Sequence, residues 1–340
     1  MVGAQARPCR SSRLAGPRGA RFACGCRPGC GPVRYFFSFR NDLMPPLRSY
    51  FQPDRLAISF ELFPPKTPKG EENMYEHVSR LMAYAPDFVT CTYGAGGSTR
   101  DKTLEIVDRV KRRFGLPVAS HLTCVGSSQD ELRSYLTRAL GQGVDYIVAL
   151  RGDPPQGESN FRPTPGGLSY ANELVSLIRG EFPDFGILVA GYPEMHREAP
   201  SRTADLTNLQ RKVSAGADVV VTQLFYDNAD FFHFRDDCQK LGIHCPIVPG
   251  LLPILSLQQI ERITSLCGSQ LPERLLNRLR EHDSPEWHFQ VGVEWAIEQC
   301  RDLIDAGVPG LHFYVLNQSP ATLQILESLG VAEQRKENRK

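Results

Sequence analysis

The sequence lacks any uninterrupted apolar run of 18 residues, so no membrane-spanning helix is expected. It also lacks a CxxC pair. Of its ten cysteines, Cys9, Cys24, Cys26 and Cys30 crowd the first thirty residues and the other six are scattered. That spacing argues against a disulfide framework or a zinc site and for buried free thiols in a reducing compartment. No metal is expected. Acidic side chains are missing from residues 1 to 41, which carry eight arginines. The remainder holds 31 basic against 38 acidic side chains, without the positive surplus of a nucleic-acid binder. A GxGxxG fingerprint is absent too. "TYGAGGSTRDK" supplies Gly94, Gly96 and Gly97, but Thr99 stands where the last glycine is required. These glycines either present backbone N–H groups to an anion at a helix start or only permit a tight turn.

What is present suits a globular protein. The 340 residues are 41% hydrophobic and 23% charged, enough apolar side chains for a large core. Residues 1–43 stand apart, rich in Arg, Gly, Pro and Cys without a period. No apolar segment follows the arginines as a secretory signal requires. A metal-binding "CGCRPGC" or a transit peptide are alternatives. The favoured reading is a disordered or non-native extension ahead of a start at Met44, leaving residues 44–335 as a single catalytic domain.

From residue 57 short β-branched runs alternate with longer amphipathic ones. "AISFEL", "DFVTCTY", "PVASHLTC", "DYIVALRG", "FGILVAGY", "ADVVVTQLFY", "CPIVPGLLP" and "VPGLHFYVL" read as strands, each followed by a helical pattern. Two extra helical stretches, "LPERLLNRLREH" and "VGVEWAIEQCRDLIDAG", lie between the last two strands. Strands bracketed by helices pair in parallel, and eight such units predict an α/β fold, the (β/α)8 TIM barrel. A doubly wound sheet is the alternative.

In such a barrel chemistry gathers at the C-terminal strand ends. There the sequence places Glu61, Thr92, Tyr93, His121, Thr123, Arg151, Asp153, Tyr192, Gln223, Tyr226, Asn317 and Gln318. Glu61 ends an apolar strand before Pro64 and Pro65. Burial there predicts a raised pKa suited to a general acid; a surface salt bridge is the plainer reading. Asp153, before Pro154, is either a second carboxylate that raises the pKa of Glu61 or an ordinary turn residue. His121 suits a satisfied polar residue or cofactor donor better than a metal ligand. Asp205 and Lys212 share one helical face, which by pattern alone reads as solvated. Phe225 and Tyr226 lie where a flat ligand would stack.

Together, "SFELFPPK", "VTCTYGAGG", "SHLTC", "ALRGDPP", "GYPEMHREA", "KVSAGADVVVTQLFYD", "CPIVPGLLPI" and "GLHFYVLN" resemble the methylenetetrahydrofolate reductase family over about residues 57 to 330. The resemblance implies a barrel that binds FAD without a Rossmann motif, takes hydride from NADH or NADPH, and reduces 5,10-methylenetetrahydrofolate to 5-methyltetrahydrofolate. It implies that Glu61 is the acid that protonates N10, with Thr92 and Asp153 as catalytic neighbours. It assigns FAD contacts to Thr92, His121, Arg151, Gly152, Asp153, Tyr170, Tyr192, His196, Asp205 and Lys212. Substrate contacts fall to Glu61, Gln223, Tyr226 and Leu316. Many members have arginine where this chain has Gln318, which bears on recognition of the folate tail. A cytoplasmic homo-oligomer is expected. A chain ending at residue 340 implies no regulatory domain and no inhibition by S-adenosylmethionine, and its compact form favours NADH. Two rivals are a flavin-free barrel aldolase or lyase using Glu61 and Asp153, and a barrel that only binds ligands.

Overall fold

A computed structural model of the chain describes residues 45–93, 100–154 and 161–337. The expected extension of residues 1–43 and the glycine-rich turn of residues 94–99 lie outside the described residues. The strands are β1 Ala57–Leu62, β2 Phe88–Cys91, β3 Val118–Thr123, β4 Tyr146–Leu150, β5 Gly186–Gly191, β6 Val219–Thr222, β7 Ile247–Val248, β8 Gly250–Leu251 and β9 Gly310–Tyr314. The helices are α1 Pro68–Leu81, α2 Arg100–Phe114, α3 Gln129–Gly141, α4 Ala171–Glu181, α5 Arg202–Ser214, α6 Asn228–Lys240, α7 Leu257–Cys267, α8 Glu273–Leu279, α9 Pro285–Asp305, α10 Pro320–Ser328 and α11 Val331–Glu337.

All strand pairs are parallel, in the order β7-β6-β5-β4-β3-β2-β1-β9-β8. The two ends of that order are consecutive in the chain, joined through Pro249. The fold is therefore an α/β barrel of eight staves, the seventh broken into β7 and β8. The sequence predicted one continuous strand there. Pro249 has no N–H for the ladder, although its carbonyl still accepts from His312 N at 3.0 Å. Beyond it, Gly250 N donates to Thr222 Oγ1 at 2.9 Å. A Cβ on Gly250 would fall 2.1 Å from Thr222 O, so the stave closes only around a glycine.

Period-two alternation sorts the strand residues. Ile58, Phe60 and Leu62 pack outward with Met74, Val78 and Leu81 of α1 in the main core. The other face turns inward. At the N-terminal end it is filled by Ala57, Phe88, Ala119, Tyr146, Val148, Leu188, Val219 and Val248. Leu47, Tyr50 and Phe51, in and after a short 3-10 helix over Leu47–Tyr50, plug this floor. Tyr146 Oη donates to Pro45 O at 3.0 Å and pairs with Tyr50 Oη at 3.1 Å. With each fully buried aliphatic or aromatic side chain contributing about 1.5–3 kcal/mol, the plug is a substantial part of the core. The sequence reading did not foresee it. Polar side chains on the inward face therefore sit above a sealed floor, toward the C-terminal end.

Helix starts are locally encoded. Thr67 accepts from Gly70 N ahead of Pro68 in α1, and Ser128 and Glu131 form a reciprocal capping box on α3. Among the described residues no helix is long and apolar enough to cross a membrane, and no group of three or more His, Cys, Asp or Glu could hold a metal ion.

Below the floor, the side chain of Asp87 is 2% exposed. Its carboxylate accepts from Ile58 N at 2.8 Å, from Arg335 at 2.5 Å and from Arg55. Arg335 also donates to Leu56 O and Ala85 O, tying α11 to the first two strands. Asp87→Ala strands the buried Arg335 guanidinium and the Ile58 N–H, so a loss of about 3–5 kcal/mol is expected. Urea unfolding followed by circular dichroism reads this as a lower midpoint with unchanged slope.

Candidate active site

Counting up the inward face from the plug, Ala57 leads through Ser59 to Glu61, Phe88 to Thr90, and Ala119 to His121. The register brings them level: Glu61 pairs with Thr90 on one side and Tyr314 on the other, and Ser59 pairs with His312. Glu61 is 8% exposed. Thr90 Oγ1 donates to its Oε2 at 3.2 Å. Nε2 of His121 lies 3.1 Å from the same oxygen, and Nε2 of His312 lies 3.6 Å away. The His121 contact is off the line of a hydrogen bond, leaving that nitrogen buried without a formed one, so it acts through charge. His312 Nδ1 is held by Ser59 Oγ at 2.8 Å, and its ring meets Tyr314 edge-on at 5.2 Å.

The electrostatics overturn one expectation. Burial alone raises the pKa of Glu61, as the sequence predicted. The charge of His121, its contact and those of His312 act the other way and prevail, holding the carboxyl at about 2 against an ordinary 4.5. Asp153 is not the partner expected. It is exposed on the loop after β4, and its charge bears on Arg151 and Tyr192.

A second group lines the ends of β4 and β5 and helix α5, with Asp205 in the first turn of that helix and Lys212 in its last. Tyr192 meets His196 edge-on at 4.7 Å, with the Lys212 ammonium 5.8 Å from the Tyr192 ring centre. Asp205 Oδ2 accepts from His196 N at 3.0 Å. Lys212 Nζ donates to Ala190 O at 2.5 Å; burial pushes its pKa down to about 8 against the pull of Asp205. Thus Asp205 and Lys212 are not the solvated face that the pattern suggested. Arg151 forks onto Glu198, at 2.7 and 2.9 Å, and lies over Phe161. Gly152 is at φ +88°, where a Cβ would fall 2.6 Å from Val125. Tyr170 is 62% exposed at the start of α4.

The remaining candidates divide. Thr92 N donates to Leu62 O at 3.0 Å and its carbonyl accepts from Thr103 at 2.8 Å, so the residue braces the end of β1. Gln223, partly buried after β6, accepts from Leu224 N through Oε1 at 2.9 Å. Leu316 and Gln318 line a cavity of about 90 Å³ with Leu252, Pro253, Phe289 and Tyr314. Tyr226 and Phe225 do not present stacking faces. Tyr226 is 3% exposed and donates its hydroxyl to Leu252 O at 2.9 Å, while Phe225 is fully buried and stacked on Phe231. Both lie beneath helices, because the chain turns outward after Thr222.

Ser59, Thr90, His312, Tyr314, Glu198 and Phe161 were not among the sequence-based candidates. The first four carry a readable signal, since each lies a multiple of two from an inward residue. Glu198 and Phe161 sit in loops and carry none.

A family model described as methylenetetrahydrofolate reductase matches residues 47–330. The chain belongs to the methylenetetrahydrofolate reductase family. It is 40% identical over 296 residues to "Methylenetetrahydrofolate reductase (NADH) 1" of Zea mays, covering 84% of this chain and 50% of that protein. To "5,10-methylenetetrahydrofolate reductase" of Escherichia coli (strain K12) it is 39% identical over 278 residues, covering 82% and 92%. The chain thus spans about half the length of the plant relative and most of the bacterial one. Among solved structures, an uncharacterized protein from Clostridium thermocellum that binds two copies of 5-methyl-5,6,7,8-tetrahydrofolic acid shares the fold. It has a TM-score of 0.53 and 16% identity, over 83% of this chain and 96% of that one.

The depressed pKa of Glu61 has a measurable sign. Its ionised form stabilises the folded chain fully above about 4.5, and that contribution is lost as pH falls toward about 2. Glu61→Gln is expected to flatten the fall in thermal midpoint across this window. A fall as steep as in the unaltered protein would place the carboxylate outside the imidazole pair.

Proposed function

We propose that this chain reduces 5,10-methylenetetrahydrofolate to 5-methyltetrahydrofolate with NADH or NADPH as hydride source and FAD as resident cofactor. The carrying observation is Glu61, enclosed in the barrel between two imidazoles in a chain of this family. The "(NADH)" in the name of the maize relative favours NADH.

The residues present fit FAD. Lys212 has three N–H donors and, among the described residues, a hydrogen-bond partner only in Ala190 O, leaving donors for a diphosphate. Arg151 adds a planar fork suited to an anion. Asp205 suits a ribose hydroxyl, and Tyr192 and His196 offer ring faces and edges. Thr92, His121, Gly152, Asp153 and Tyr170 complete the proposed lining. When bound, FAD supplies the carrier of hydride between nicotinamide and the one-carbon unit.

The protein supplies the proton. Opening of the five-membered ring needs protonation at N10 of the folate. In the free protein Glu61 is held ionised beside His121 and His312. A neutral ring system docked over the rim excludes water and disfavours the carboxylate. Glu61 then takes up a proton at Oε2, the oxygen that faces Nε2 of His121 and His312, and passes it to N10. Thr90 holds Oε2 in place, and Ser59 holds the far side of His312. The route amends a simple Glu61 acid, because in this site the carboxyl must first be recharged. Gln223 and Leu316 are proposed to border the pterin.

Glu61→Gln separates the halves of the reaction. Anaerobic stopped-flow spectra are expected to show flavin reduction by NADH within a few-fold of normal, and reoxidation by methylenetetrahydrofolate slowed at least 100-fold, in the range of lost acid catalysis. Equal loss in both halves would refute the acid role, and a colourless protein that takes up no flavin would refute the whole reading. FAD affinity is expected to fall as pH rises through about 8, where Lys212 loses its charge. In Lys212→Met, fluorescence titration should find weaker binding without that slope.

A further inference from the structure

Beyond Tyr314 the chain does something uncommon. Leu316 and Asn317 both have positive φ, at 47° and 56°. Consecutive non-glycine residues in the left-handed region carry strain, and such strain gathers at functional positions. Asparagine tolerates this region better than leucine does. The turn is anchored: Gln318 N donates to Val315 O at 2.8 Å, and Ser319 N donates to Nδ1 of His77 on α1 at 3.2 Å. From this post the Asn317 side chain reaches one peptide unit of another strand end. Phe63 N donates to its Oδ1 at 2.9 Å, and its Nδ2 donates to Phe63 O at 2.7 Å.

The β1–β9 ladder ends at the pair Glu61 with Tyr314. Past it the two main chains diverge, and the side-chain amide offers the donor and acceptor that a continuing strand would have offered. On the other side Thr92 N holds Leu62 O at 3.0 Å. The two residues that follow Glu61 are therefore gripped from both neighbouring staves. Only Asn or Gln has a side-chain amide that both donates and accepts, and of the two asparagine suits the left-handed backbone.

We propose that Asn317 is a positioning residue for the proton-donating Glu61, acting through this two-bond clip on the strand end that carries the carboxylate. The inference rests on the reaction proposed above. Without the clip, Leu62 and Phe63 are free to fray, and the Glu61 carboxylate loses its fixed approach to His121, His312 and Thr90. Phe63, 38% exposed at the rim, would move with them.

Asn317→Gly tests this, because glycine keeps the left-handed backbone at no strain and removes only the clip. In the full-length protein with FAD, reduction by NADH is expected to stay within twofold. Reoxidation by methylenetetrahydrofolate is expected to slow about 10- to 100-fold, as for an ångström-scale misplacement, with a changed pH profile. In the cofactor-free chain, carbon-13 NMR of labelled glutamate carboxyls should show Glu61 titrating nearer the ordinary range than in the unaltered protein. An unchanged folate half-reaction and unchanged Glu61 titration overturn the proposal. So does an equal loss in both half-reactions with an unmoved pH profile, which marks a merely structural role. If Asn317→Gly fails to fold, Asn317→Asp, which keeps the acceptor and loses the donor, carries the same readouts. Failure of the unaltered protein to reduce methylenetetrahydrofolate would instead sink the functional reading, a result distinguishable by that control.

Discussion

A carboxylate shut inside an apolar barrel ionises only if other groups compensate its lost hydration. For Glu61 the compensation comes from two opposite sides, His121 from β3 and His312 from β9. Neither histidine is near it in sequence. The arrangement needs β1 between β2 and β9, in register, with the ring closed. Shifting any of these strands by one residue turns its inward set outward, and the carboxylate then faces aliphatic side chains. The chemistry at Glu61 and the integrity of the barrel are thus one constraint.

Closure itself depends on Pro249 and Gly250. The seventh stave must pair with β6 on one side and β9 on the other, and a continuous strand does not do so here. The proline interrupts the ladder and the glycine lets the chain approach Thr222. Thr222 then receives Gly250 N on its hydroxyl and the Tyr314 hydroxyl on its carbonyl, the latter at 2.6 Å. Tyr314 is the ladder partner of Glu61 and the edge-on neighbour of His312. The closing seam therefore also packs the neighbours of Glu61, while the plug of Leu47, Tyr50 and Phe51 fills the opposite end.

The wall of Arg151, His196 and Lys212 shows the same economy in another form. Its cations are held before any ligand arrives, Arg151 by Glu198 and Lys212 by a backbone carbonyl. Burial weakens the charge of Lys212 and lowers the pKa of His196, where the nearby Arg151 charge adds to the effect. The FAD proposed for this wall would replace compensations already made, so its affinity would be a difference between two sets of partners.

The order of strands and helices was legible in the sequence because hydrophobic period is local: Ala57–Leu62 was bounded correctly from its six residues alone. Glu61, His121, Lys212 and Asp205 were legible as polar residues near strand ends, and the family motifs joined them. What local pattern could not supply was the environment of each. The sign of the Glu61 shift reversed because His121 and His312 lie on other strands and meet the carboxylate only through strand order and register. Phe225 and Tyr226 looked available yet are packed away, since the direction of the chain after β6 is set by the helices that cover it. Asp153 is exposed and is not among the groups that shift Glu61, because a loop residue answers to the shape of the rim. The sequence by itself determined the alternation, the parallel staves and the residue types able to move a proton or hold an anion. Only the closed barrel decided which of them touch, because proximity across a ring depends on strand order and register, quantities that no single segment contains.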